Sequence, residues 1–174
     1  MASIFSFKCT SCSKVHEGAP SFGFDAPSPY TELSEALRTS AHLGTDLCWY
    51  EEDGETHRFV RVCLEVPIHG FSEPFTWGVW VSLSEQSFNR YVETLDSPIE
   101  SDSYFGWFCN RLPYYPDTHA LKVNVRPRGG DLRPYIELQS SDHVLAQDYA
   151  NGVSIARAQE IAEIAMHLAN HSNV

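Results

Sequence analysis

The sequence predicts an α+β fold: a mostly antiparallel sheet of about six strands, helices packed mainly on one face, and a small N-terminal Cys/His knuckle. Three observations predict it. Period-two apolar runs crowd the middle of the chain, helical apolar stripes stand before, between and after them, and the connections are short enough to favour antiparallel neighbours. With 174 residues, 43% hydrophobic and 20% charged, there is apolar surface enough to offset chain entropy in one core. A single domain spanning 1–174 is expected, divided into a knuckle (1–20), a loop (21–30) and an α+β body (31–174).

The elements follow in order. Pro20, Gly23, Pro27 and Pro29 make Ser21 to Tyr30 a loop, since proline removes donors and glycine admits unusual dihedrals. Tyr30 to Leu43 reads as a helix with Leu33, Ala36 and Leu37 on one face and Gly44 as its stop. Leu47 to Glu51 and Arg58 to Ile68 read as a hairpin around the turn signal Asp53-Gly54. In the second strand Val60, Val62, Leu64 and Val66 share one side, and Phe59, Arg61 and Cys63 the other. Phe75 to Leu83, dense in aromatics and valines, is the third strand. Ser82-Leu83-Ser84-Glu85 matches a capping box, and predicts a helix from Ser84 to about Leu95 that buries Phe88, Tyr91 and Val92. Further strands are expected over Tyr104 to Asn110, Ala120 to Arg126 and Tyr135 to Leu138, the last two joined around Gly129-Gly130. The chain ends in a helix capped by Ser154, with Ile155, Ala158, Ile161, Ala162, Ala165 and Leu168 as its apolar stripe.

Charge narrows the function classes. The formal net charge is -11, and only 12 Lys and Arg stand along the chain without clustering. Such a field repels polyanions, so neither nucleic acid nor an anionic membrane surface is an expected partner; the acidic surface reads first as a means of solubility, and second as a face for a basic protein. No stretch approaches a membrane span, and Met1 to Lys8 lacks a basic region followed by an apolar run, so a cytoplasmic protein is expected. Five cysteines, an odd number, suit a reducing compartment better than a disulfide framework. The composition carries no information on oligomeric state.

One segment carries specific chemistry: Phe7-Lys8-Cys9-Thr10-Ser11-Cys12-Ser13-Lys14-Val15-His16. Two cysteines separated by two residues present both thiolates to one ion, and zinc favours such ligands in tetrahedral geometry. His16 supplies a third ligand, and Cys48 is the first choice for the fourth, ahead of His42, Cys63 or a late histidine. The competing readings are two free thiols in a tight turn, or a redox pair; the latter expects a βαβ setting that this terminus lacks. Cys63 and Cys109, inside apolar strands, read as small core residues. Asp142-His143 reads as a helix-capping Asp beside a surface His, or as an acid-oriented general base. His167 and His171, four apart, read as a solvated helix end or a chelating pair. Asp46, Glu51, Glu52 and Asp53 read as a solvated acidic turn. P-loop, dinucleotide, nucleophile-elbow and His-Glu-x-x-His patterns are all missing.

Several segments together resemble the bacterial domain-of-unknown-function family 2199: the knuckle, Asp46-Leu47-Cys48, Phe59 to Ile68 and, most specifically, Trp77-Gly78-Val79-Trp80-Val81-Ser82-Leu83-Ser84. Leu112-Pro113-x-Tyr115-Pro116-x-Thr118, Arg133-Pro134-x-Ile136-x-Leu138 and Asp142-His143-x-Leu145-Ala146 extend it over nearly the whole chain. Val144 stands where proline is expected and Ser13 where glycine is more usual. The resemblance implies a bacterial, stand-alone domain in which Cys9, Cys12, His16, Cys48 and His143 belong to the family pattern; it implies no activity. The leading expectation is a binding or interaction module with a structural zinc, and the second a metal-dependent enzyme with an open zinc site. A third is a small-ligand carrier whose pocket the aromatics of Phe75 to Val81 line.

Overall fold

The computed structural model describes residues 5–169. A two-stranded hairpin comes first: β1 (Ser6–Lys8) pairs antiparallel with β2 (Val15–Glu17), placing Phe7 opposite His16. Then follow β3 (Ser21–Gly23), α1 (Ser28–Thr31), α2 (Glu35–Ser40), β4 (His42–Leu43), β5 (Leu47–Glu52), β6 (Glu55–Val66) and β7 (Phe75–Leu83). The rest is α3 (Glu85–Glu93), β8 (Tyr104–Phe108), β9 (Lys122–Arg126), β10 (Tyr135–Leu138), α4 (Val144–Asn151) and α5 (Ile155–Ala169).

The expected hairpin forms. Glu52 pairs with Glu55 across a two-residue turn, where Asp53 and Gly54 both adopt positive φ (52° and 82°), as a type I′ turn requires. The helix expected over Tyr30 to Leu43 is broken instead. The Ser34 hydroxyl accepts the amide of Leu37 and starts α2 afresh, a local bond that competes with helix continuation. The cap of α3 is Ser84, which accepts the amide of Ser87; Ser82 stays on β7, paired with Phe59 and Trp107, so the expected capping box does not form. Phe88 and Tyr91 are buried as expected, while Val92 is exposed. Ser154 caps α5 by accepting the amide of Arg157. His171, and the side chain of Leu168, lie outside the described residues.

The sheet corrects the sequence expectation. The ring β7-β8-β9-β10-β6 closes through the β6–β7 pairing into a five-stranded barrel of mixed orientation. Parity requires the mixture. Strand directions alternate across antiparallel pairs, so a closed ring of five cannot be antiparallel throughout. Here β10 runs parallel to β6, with the Cys63 amide donating to the Pro134 carbonyl at 2.8 Å. Length permits the closure. β6 has 12 residues, pairing with β7 over Phe59–Val66, with β5 over its first half and with β10 at Cys63. β3 adds a second parallel pair on β7.

Alternation along β6 sorts its side chains as expected. Val60, Val62, Leu64 and Val66 are buried in the main cluster with Val79, Val81, Val123, Val125 and Ile136. That cluster runs on into Phe5, Phe7 and Cys9 of the hairpin and into Ala158, Ile161, Ala162 and Ala165 of α5. Phe59 faces the other way, into a second cluster with Leu33, Cys48, Tyr50, Trp80 and Cys109, against which Tyr30 and Leu37 pack. The helices thus divide between two apolar clusters rather than covering one face. Trp77 and Trp80 are both buried, one in each cluster, so neither lines an open pocket.

Candidate metal centre

The hairpin forms because its turn satisfies itself. The Cys9 amide donates to the Lys14 carbonyl at 2.8 Å, and the Ser13 amide returns to the Cys9 carbonyl at 3.0 Å. Ser13 sits at φ 60°, the left-handed conformation that glycine takes without cost. Phe7 is buried beneath, its ring 5.4 Å from that of His16. Cys9 is on the same side as Phe7 and only 1% exposed, while Cys12 is half-buried near the tip.

The opposite wall is α5. Its apolar stripe faces the core, and a second stripe, Gln159, Glu163 and His167, is spaced four residues apart, so these side chains stack along one helix face. Each meets the knuckle. Gln159 donates to the Lys8 carbonyl at 3.4 Å. The Glu163 carboxylate accepts from the Thr10 amide (2.9 Å) and hydroxyl (2.7 Å). The Nε2 of His167 lies 3.2 Å from the Cys9 Sγ.

Among the described residues, Cys9, Cys12 and His167 form the only group of three or more Cys, His, Asp or Glu side chains able to hold a metal ion. Their donor atoms all lie within 4.8 Å of one another. The His16 Nε2 stands 3.4 Å from the Cys12 Sγ, against the same sulfur but outside that mutual group. The electrostatics favour a thiolate. The His167 hydrogen bond, helped by the amides of Cys12 and Ser11, lowers the Cys9 thiol from 9.0 to about 6, against the opposing effect of burial. The two bonds from Thr10 hold the Glu163 carboxyl below its usual range. Two soft sulfurs and one or two imidazoles at these distances fit a tetrahedral divalent ion.

The structure brings together Cys9, Cys12 and, through Cys12, His16; it does not bring Cys48. Cys48 lies on β5 opposite Phe59, fully buried in the second cluster, where desolvation pushes its thiol up to about 12. Strand alternation is the reason: Cys48 and Tyr50 are the two side chains of β5 turned into that cluster. A late histidine, His167, stands beside Cys9 and Cys12 instead. The other candidates have different work. His42 stacks on Trp49 at 3.7 Å, Cys63 is half-buried on the outer side of β6, and Cys109 is a buried core thiol raised to about 11. The Nδ1 of His143 accepts the Leu145 amide, so His143, not Asp142, caps α4. The missed signal was the Gln159–Glu163–His167 spacing, a polar stripe on a helix whose other face is core.

No curated protein and no solved structure matches the chain. The model of an uncharacterised protein family conserved in bacteria, DUF2199, matches residues 8–153, a segment that holds the knuckle but ends before His167. The chain therefore belongs to DUF2199.

Proposed function

We propose that the chain is a binding module whose N-terminal hairpin is clasped to its last helix by a structural zinc ion. Cys9, Cys12 and His167 are ligands in this reading, and His16 is the fourth. The observation that carries it is the convergence of three donor atoms within 4.8 Å from segments as far as 158 residues apart in sequence. A ligand set drawn from both ends of a fold does the work of a staple, and a fourth protein ligand closes the ion to substrate. The excess of 23 acidic over 12 basic residues supports a basic protein as the partner.

Metal content by mass spectrometry of freshly prepared, reduced protein tests this reading, with a Cys9→Ser/Cys12→Ser variant alongside. One zinc per chain, lost in the variant together with thermal stability, is the expected result. Protein free of metal overturns it. A second reading, an enzyme with an open zinc site, draws on one feature: His16 stands apart from the mutually close trio, which leaves the fourth position to water. X-ray absorption separates the two, because two sulfurs and two imidazoles support the clasp, and an oxygen ligand supports the enzyme.

A further inference from the structure

We propose that Cys9 and Cys12 are also the oxidation site of this chain: a peroxide converts them to a disulfide, and the metal leaves. The inference rests on the zinc reading for its second half only. The pair is built for closure. Both sulfurs belong to one group of donor atoms no more than 4.8 Å apart, and both residues sit on one turn held by the Cys9–Lys14 and Ser13–Cys9 backbone bonds, so no strand has to part for the sulfurs to meet. The other three thiols are poor competitors. Cys48 and Cys109 are buried in the second cluster, and Cys63 stands alone on the outer side of β6. Desolvation raises all three of these thiols.

The electron count closes. The half-exposed Cys12 sulfur attacks one peroxide oxygen, giving a sulfenic acid and hydroxide. The Cys9 thiolate then attacks the Cys12 sulfur and displaces a second hydroxide as the disulfide forms. Two thiolates have lost two electrons, and one peroxide, with two protons, has become two waters. With both anionic sulfurs consumed, the imidazoles left behind hold zinc weakly, and the contact of His167 with the Cys9 thiolate is lost. The Thr10–Glu163 and Lys8–Gln159 contacts and the buried stripe of α5 are untouched, so the release is confined to the end of that helix.

The experiment treats zinc-loaded, reduced protein with hydrogen peroxide and follows zinc release with a chromogenic chelator. Thiols are counted under denaturing conditions, and peptides are mapped. Zinc and two thiols should disappear with one rate constant, leaving three thiols and a Cys9–Cys12 linked peptide, with recovery on adding reductant and zinc. A Cys63→Ser variant should behave as wild type. Oxidation arriving first at Cys48, Cys63 or Cys109, or zinc release without the linked peptide, overturns the proposal. If the protein takes up no zinc, the clasp reading fails by itself. The peptide map of the peroxide-treated apo protein then decides whether the Cys9–Cys12 pair is the oxidation site.

Discussion

Replacing Gly106 by alanine should destabilise the barrel strongly, although a glycine in a strand is ordinarily a weakness that alanine repairs by roughly 0.5–1 kcal/mol. Gly106 lies on β8 between Tyr104 and Phe108 and turns inward. A Cβ there would collide with Val81 Cγ1, and would stand 2.6 Å from the Ser82 carbonyl oxygen and 3.0 Å from Leu83 Cδ2. A side chain can rotate away, but the Ser82 oxygen is backbone on the neighbouring strand, so β7 and β8 must separate. Overpacking of a rigid core costs about 1–3 kcal/mol, and the backbone contact places this case at the upper end, about 3 kcal/mol. For a chain of this size that corresponds to a fall of roughly 6–12 °C in the unfolding midpoint. Urea titration and thermal melting of metal-loaded protein measure it. A variant within about 0.5 kcal/mol of wild type would refute the closed barrel, because an open sheet can splay at this point at little cost.

Two further substitutions probe the knuckle and its seat. Ser13→Gly should raise stability by about 0.5–1 kcal/mol, because it relieves a left-handed backbone that costs a serine more than the extra chain entropy costs a glycine; zinc content should stay the same, and equilibrium unfolding reads the gain. Glu163→Gln should cost under about 1 kcal/mol, since the carboxylate is half-exposed and solvent screens its charge-assisted bonds to Thr10. The sign with pH follows from a folded-state carboxyl lowered from 4.5: its contribution is present above that value and lost as pH falls through the lower folded one. Melting curves of wild type and variant taken from about pH 6 down to about pH 3 should therefore converge.

Elements whose signal is local were legible in the sequence. The Asp53-Gly54 turn, the valine side of β6, the limits of β7 and the Ser154 cap each follow from dihedral preference, period or capping within a few residues. What was not legible depends on contacts distant in sequence. Ring closure follows from β10 reaching β6 as a parallel neighbour at Cys63, which no local pattern encodes. The break at Ser34 and the cap at His143 arise where a side chain outbids the backbone for one amide, and both look like ordinary polar residues in the sequence. The candidate site divides the same way. Cys9, Cys12 and His16 are within one turn of each other and were read directly. His167 enters from the far end of the chain, beyond the segment that the family model matches.

In the zinc reading, that division between near and distant ligands decides what the metal does. Cys9, Cys12 and His16 span eight positions and can chelate an ion in the unfolded chain almost as well as in the folded one, so zinc held by them alone adds little to stability. His167 joins them only when α5 is seated, and the link from Cys9 then closes a loop across 158 residues. In the chain-entropy account a cross-link of that span stabilises by up to about 5 kcal/mol. His167→Ala is therefore expected to keep one zinc per chain while losing most of the stabilisation zinc confers. Unfolding midpoints measured with zinc and with a chelator should differ widely for wild type and little for the variant. Equal zinc dependence in the two proteins would mean that the ion serves the hairpin alone, and that the contact between His167 and Cys9 is packing rather than coordination.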